Sequence, residues 1–273
     1  MFTDMLKNVR KAHPLVHNIT NYVTVNDCAN ALLSLGASPI MADDEEEVEE
    51  ITAISNALVI NIGTLNSRTI KSMILAGRKA NQLSIPVVLD PVGAGASKLR
   101  TETAFCLLEE VKFSVIRGNI SEIKTVGRLS SSTRGVDADI SDSIGDDILD
   151  KTAEFAVHLS RSTGAVIAVT GAADIVTDSI KTYIIRNGHP MMRRVSGTGC
   201  MLSSITGAFI AANAGTVDAC AAALCTMGIC GETAYENISS RVEGTSSFKT
   251  HLIDFMGLID DNMLEGRARI EAR

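Results

Sequence analysis

The 273-residue sequence has no tryptophan, only 4% aromatic residues, five prolines and no run rich in Lys or Arg. So few rings exclude a platform for stacking successive bases. A formal charge of −7 gives no electrostatic footprint for nucleic acid or an anionic membrane. The six cysteines (Cys28, Cys106, Cys200, Cys220, Cys225, Cys230) form no Cys-x-x-Cys pair, and the five histidines have no zinc-ligand spacing. Cys220, Cys225 and Cys230 recur every five residues in an Ala-rich helical stretch. That step turns a helix by about 140°, so the thiols read as small buried apolar groups rather than as one ligand set.

Targeting signals are also missing. The stretch MFTDMLKNVRKAHP carries charges where a signal peptide needs an apolar run. The uncharged segment 195–217 is interrupted by Ser196, Thr198, Ser203, Ser204, Thr206 and Asn213, which suits a tightly packed internal helix better than a membrane span. These absences predict a cytoplasmic, reduced protein. What the chain does have is ordinary globular composition, 45% apolar and 21% charged, which excludes disorder and supplies an Ile, Val, Leu, Ala and Met core.

Short β-branched runs at 15–19, 38–41, 58–62, 86–89, 114–117 and 165–169 alternate with amphipathic segments at 25–35, 45–55, 67–83, 102–111 and 146–162. The middle runs are almost continuously apolar, as strands buried on both faces are. This alternation predicts an α/β fold, with a mostly parallel, doubly wound sheet and helices on both faces. Runs at 174–177 and 182–186 predict an added hairpin, and the chain from Gly197 onward reads as mostly helical. No linker or repeat divides it, so residues 1–273 are expected to form one domain. The polar segment 128–142 reads as a loop or lid.

In such sheets the ligand crevice lies at the carboxyl ends of the strands. There the sequence places Asn61-Ile62-Gly63-Thr64, Asp90-Pro91-Val92-Gly93-Ala94-Gly95, Arg117-Gly118-Asn119 and Thr170-Gly171. Ser196-Gly197-Thr198-Gly199-Cys200, leading into a helix at 201–214, is the sharpest feature. Its glycines allow a tight turn whose free N–H groups and helix dipole suit an anion, although they equally suit close helix packing. No P-loop or complete dinucleotide fingerprint is present. Asn119-Ile120-Ser121-Glu122 reads either as a helix capping box or, with Asp90 nearby, as a carboxylate for Mg²⁺.

The segments His17-Asn18-Ile19-Thr20-Asn21-Tyr22-Val23, Gly36-Ala37-Ser38-Pro39-Ile40-Met41-Ala42, Asp90 to Gly95, Arg117-Gly118-Asn119 and Gly197-Thr198-Gly199-Cys200 resemble the hydroxyethylthiazole kinase family, of ribokinase-like fold. They occur in the family's order over nearly the whole chain. The resemblance implies ATP-dependent phosphorylation of the hydroxyl of 4-methyl-5-(2-hydroxyethyl)thiazole, a salvage step toward thiamine. It implies Met41, Gly197 and Asn26 as substrate contacts, Arg117 and Thr170 as ATP contacts, and Asp90 and Glu122 as acidic groups near Mg²⁺ and the phosphates. It also implies a homotrimer with active sites between subunits.

Both lines meet at phosphoryl transfer, where positioning and electrostatics dominate a loose transition state. The N–H groups of Gly197, Thr198, Gly199 and Cys200 are then expected to form an anion hole. A thiol at a helix N-terminus is expected to have a lowered pKa, making Cys200 a thiolate base. The competing reading makes Cys200 a small spacer, with the alcohol's proton lost late. The alternatives are another kinase of this fold, acting on hydroxymethylpyrimidine or pyridoxal, an ADP- or ATP-dependent NAD(P)H-hydrate dehydratase, and a nucleotide-binding regulator without turnover.

Overall fold

The computed structural model describes residues 2–129 and 146–273, so all but the first two residues of the expected loop at 128–142 lie outside the described residues. The chain begins with α1 (Met5–Ala12), β1 (Leu15–Ile19), α2 (Val25–Leu35), β2 (Ser38–Ile40), α3 (Val48–Ile54) and β3 (Ala57–Asn61). It continues with α4 (Ser67–Gln82), β4 (Val87–Asp90), α5 (Lys98–Glu110), β5 (Val115–Asn119), α6 (Ile120–Gly127) and α7 (Asp146–Thr163). After β6 (Val166–Thr170), β7 (Asp174–Thr177) and β8 (Thr182–Ile185), a 3₁₀ turn at Pro190–Arg194 leads to α8 (Thr198–Ala212). The chain ends with α9 (Thr216–Ser239), α10 (Thr245–Leu258), α11 (Asp261–Arg267) and β9 (Ile270–Ala272).

Among the described residues, nine strands form one sheet in the order β2-β1-β3-β4-β5-β6-β7-β8-β9. Neighbours from β2 through β6 are parallel, and β7, β8 and β9 add antiparallel edges. The expected hairpin is β7–β8. The C-terminal third is mostly helical, as expected, and ends in one added strand: Ile270–Ala272 pairs with β8, a tertiary contact that three residues cannot announce by periodicity.

Side-chain alternation divides the core. Val16, Val59, Val88, Val115 and Ala168 meet α1, α2, α8, α9 and α10 on one face, while Leu58, Ile60, Leu89, Ile116 and Ile167 meet α3 to α7 on the other. Both faces are therefore covered, and burial on both sides explains the uninterrupted apolar strands. Among the described residues, the one helix long and apolar enough to cross a membrane, α9, is the core helix of the first face. Cys220, Cys225 and Cys230 are fully buried in it, and burial pushes each thiol up to about 12.

Strand order reverses between β1 and β3, since β2 lies on one side of β1 and all later strands on the other. A crevice opens at the carboxyl ends of strands at such a point. Register aligns those ends: Asn61 stands beside Asp90, and Asn119 beside Thr170.

Candidate active site

Helix α8 starts at the centre of this crevice. Its N-cap Gly197 has φ +91°, and no side chain caps the end. The N–H groups of the first turn, Thr198, Gly199 and Cys200, are those a helix leaves without intrahelical partners. Glycine is required for backbone reasons and for space: a Cβ on Gly197 would lie 2.7 Å from Thr24 Cγ2, and one on Gly199 would lie 2.8 Å from Arg117 Nη1. The uncapped Gly-Thr-Gly turn thus stands close against a guanidinium.

Arg117 reaches up from β5. Its Nη1 lies 3.5 Å from Asp90 Oδ2, and its Nη2 donates to Thr170 Oγ1 at 3.0 Å. Thr170 Oγ1 in turn donates to the Gly118 carbonyl at 3.3 Å. Asp90 is fully buried at the end of β4. Its Oδ2 accepts from Asn61 Nδ2 at 2.9 Å and Ser203 Oγ at 2.7 Å. Burial pushes Asp90 up to about 6, an effect added to by Glu122 and opposed by Arg117, Ser203 and Asn61.

Among the described residues, buried Asp90 Oδ1 and Arg117 Nε have no hydrogen-bond partner. Unpaired buried polar atoms are costly and are expected where a ligand completes the site. Glu122 is the N3 partner of the N-cap Asn119 in a capping box: Asn119 N–H donates to Oε2 at 2.8 Å, and Gly93 N–H donates to Oε1 at 2.9 Å. The cap and acidic-group readings are compatible, because each oxygen that accepts a capping bond keeps a further lone pair. Among the described residues no three-residue metal cluster occurs. Mg²⁺ takes one or two carboxylates and completes its shell with waters and substrate phosphates, and the unpaired Asp90 Oδ1 is a donor of that kind.

Cys200 lies at a junction of buried amides. Asn21 Nδ2 and Asn61 Nδ2 approach its Sγ at 3.1 and 3.3 Å. Asn21 also donates to Asn61 Oδ1 at 3.1 Å and accepts from Thr24 Oγ1 at 3.0 Å. The expectation of a lowered thiol pKa is overturned. Burial and the nearby Asp90 charge raise Cys200, outweighing hydrogen bonds from Thr24, Asn21 and Asn61. Alkylation of Cys200 by iodoacetamide, followed by peptide mass spectrometry, is therefore expected to be slow at pH 7 and to climb only above the ordinary thiol range of about 8.5. A plateau already reached by pH 7 would contradict this assignment.

The remaining expected contacts separate. Met41 follows β2, partly buried against the first-face core. Its neighbour Ala42 is fixed by fully buried His17, whose Nε2 donates to the Ala42 carbonyl at 2.9 Å while Nδ1 accepts from Thr52 Oγ1. Burial lowers the His17 pKa, which keeps the ring neutral. Asn26 is exposed on α2, where its side chain accepts from Asn30 one turn on.

Beside the α8 N-terminus lies a cavity of about 610 Å³, lined by Arg117, Thr170, Thr198, Gly199 and all but Met191 of the segment from Asn187 to Arg193. Asp174 also lines it. Burial pushes its carboxyl up to about 6 against the Gly171 N–H bond and Arg117. Sequence reasoning did not single out Asn21, Asn61 and Ser203 as one cluster. The signal was a polar residue two positions past β1 and another ending β3, plus Ser203 one helical turn after Cys200.

The hydroxyethylthiazole kinase family model matches residues 6–261. The chain is 57% identical to the hydroxyethylthiazole kinase of Clostridium acetobutylicum over 273 residues, covering 100% of both. It is similar to the solved structure of hydroxyethylthiazole kinase from Pyrococcus horikoshii, with TM-score 0.87 and 40% identity over 99% of this chain and 98% of that one. The Bacillus subtilis pyridoxal kinase, at 17% identity and TM-score 0.58 over 80% of this chain and 91% of that one, has the same fold.

Proposed function

The chain belongs to the hydroxyethylthiazole kinase family, and we propose that its cavity holds ATP, with the terminal phosphoryl group against the α8 N-terminus and the thiazole alcohol on the Cys200 side. The reaction is transfer of that phosphoryl group to the hydroxyl of 4-methyl-5-(2-hydroxyethyl)thiazole, giving ADP and the thiazole phosphate for thiamine salvage. One observation carries the placement. The uncapped first turn of α8 faces a cavity large enough for a nucleotide and touches the Arg117 guanidinium.

Phosphoryl transfer needs little covalent help from the protein, so the residues act by charge and position. The N–H groups of Thr198, Gly199 and Cys200 donate to the migrating phosphoryl oxygens, and the helix dipole adds to their pull. Arg117, held by Asp90 and Thr170, offsets the charge of the phosphate chain. Asp90 and Glu122 would hold Mg²⁺, which supplies charge neutralisation of the phosphate oxygens when bound. Cys200, a protonated thiol between two amides, orients the alcohol rather than deprotonating it. A loose transition state lets the alcohol's proton depart late. Met41 and Gly197 bound the thiazole side.

A homotrimer fits the surface on that side. Tyr22 and Val23, 79% and 61% exposed, adjoin the crevice loop, and Leu33 is 59% exposed on the same helix as outward-facing Asn26. A second copy seated there would cover this apolar surface and bring Asn26 and Met41 to shared pockets. Six free cysteines and the acidic charge suit a reduced cytoplasmic enzyme without nucleic-acid or membrane partners.

An ATP-consumption assay offered hydroxyethylthiazole, hydroxymethylpyrimidine and pyridoxal in turn tests the substrate side. The expected result is turnover with the thiazole alcohol exceeding the others by at least about 10²-fold in kcat/KM. Equal or greater turnover with pyridoxal or the pyrimidine would contradict it.

A further inference from the structure

The segment from Asn187 to Met192 forms one wall of the 610 Å³ cavity, yet none of it is regular strand or α-helix. It packs against one stripe of α9, whose Gly228 also reaches the cavity. Gly228, Gly231, Glu232 and Tyr235 stand at i, i+3, i+4 and i+7, so they share a helix face. Each grips a different residue of the wall. A Cβ on Gly228 would lie 2.6 Å from Asn187 Cβ, and one on Gly231 would lie 2.5 Å from Met192 Sδ. Tyr235 stacks on His189 with centroids 3.6 Å apart and planes 18° from parallel. Glu232 Oε1 accepts the Gly188 N–H at 2.7 Å.

Glu232 also ties this wall to the end of the chain. Its Oε1 accepts from Arg269 Nη2 at 2.6 Å, and the same Arg269 nitrogen donates to the Arg186 carbonyl at 2.6 Å. Arg267 Nη2 lies 3.7 Å from Oε2. Asn187 closes the loop on both sides: its Oδ1 accepts the Arg269 N–H at 2.7 Å, and its Nδ2 donates to the Arg267 carbonyl at 2.9 Å. The far end of the wall joins the anion cradle directly, because Thr198 Oγ1 donates to the Met192 carbonyl at 3.2 Å. One carboxylate, nearly buried at 13% side-chain exposure, thereby links the C-terminal segment, the cavity wall and the start of α8.

We infer that Glu232, braced by Arg269, is a positioning residue for the nucleotide: it preforms the cavity wall that ATP meets while touching neither substrate hydroxyl nor phosphoryl group. This rests on the reading of the cavity as the ATP site. A wall already ordered binds without an ordering cost, so its loss is expected to weaken nucleotide binding and to leave the chemical step alone.

Steady-state kinetics on full-length Glu232→Ala, Glu232→Gln, Arg269→Ala and Arg117→Ala, with ATP and the thiazole alcohol varied separately, test it. Glu232→Ala is expected to raise KM for ATP about tenfold, with kcat at saturating ATP and KM for the alcohol within about twofold of the parent. Glu232→Gln keeps an acceptor for Gly188 N–H and is expected to recover most of that loss. Arg269 is exposed, so its alanine variant tests the brace where Glu232→Ala fails to fold; KM for ATP is expected to rise about threefold. The inference is overturned if both alanine variants leave KM for ATP within twofold, or raise both KM values alike. If Arg117→Ala too leaves ATP kinetics unchanged, the cavity is not the nucleotide site and the underlying reading fails with it.

Discussion

Gly197→Ala is expected to lower kcat by about 10²-fold or more, because it displaces the donors that meet the migrating charge. The residue has φ +91°, a left-handed conformation that costs an L side chain about 1–2 kcal/mol. Space is the harder constraint. The new methyl would lie 2.7 Å from Thr24 Cγ2. Thr24 is itself buried, and its hydroxyl is committed to Asn21, which reaches the Cys200 sulfur. Relief must therefore come from moving the start of α8, and with it the Thr198, Gly199 and Cys200 N–H groups. Oxyanion-type donors lose about 10² to 10³ in rate when one is removed, so a shift of several tenths of an ångström is enough. Parallel kinetics and thermal denaturation check this. A kcat within threefold of the parent in a folded variant would count against the cradle.

Arg117→Ala is expected to lower kcat/KM for ATP by about 10³-fold and to destabilise the fold by about 3 kcal/mol. The guanidinium is 11% exposed between Asp90, Thr170 and the α8 N-terminus, so its removal leaves a fully buried carboxylate without its counter-charge. Asn61 and Ser203 still hold Asp90 Oδ2, which limits the loss. The pH signature has a defined sign. Asp90 already has its native pKa raised to about 6, above the ordinary carboxylate value. Its stabilising contribution is thus fully present below about pH 4 and is lost as pH rises through about 6. Removing Arg117, which opposes that rise, pushes the native pKa higher and moves the upper end of this window toward neutrality. Urea midpoints measured from pH 4 to 8 are expected to fall more steeply above pH 6 in Arg117→Ala than in the parent. Parallel curves would show that the two groups are not coupled.

The parallel part of the fold was legible because strands covered on both faces cannot hide their apolar runs. Boundaries at Leu15–Ile19 and Val25–Leu35 agree to the residue. By contrast the acidic run at 45–47 forms a turn, and helix begins only at Val48. Site residues that follow a strand, Asp90, Arg117 and Thr170, could be placed at the crevice from topology alone. Contacts made across the sheet could not. Asn21, Asn61 and Ser203 converge on Asp90 and Cys200 from three separate elements, and their spacing in the chain carries no trace of it. The pKa of Cys200 failed for a related reason: helix-terminus position was visible, whereas burial beside Asp90 was not.

The central claim is that backbone amides opening α8 hold the phosphoryl group in flight. A crystal structure of the enzyme with a non-hydrolysable ATP analogue, Mg²⁺ and the thiazole alcohol tests it most directly. The account predicts terminal phosphate oxygens about 3 Å from the N–H groups of Gly199 and Cys200, with the Arg117 guanidinium alongside and the alcohol oxygen in line on the Cys200 side. A terminal phosphate seated elsewhere, with the 197–200 turn contacting neither ligand, would contradict it.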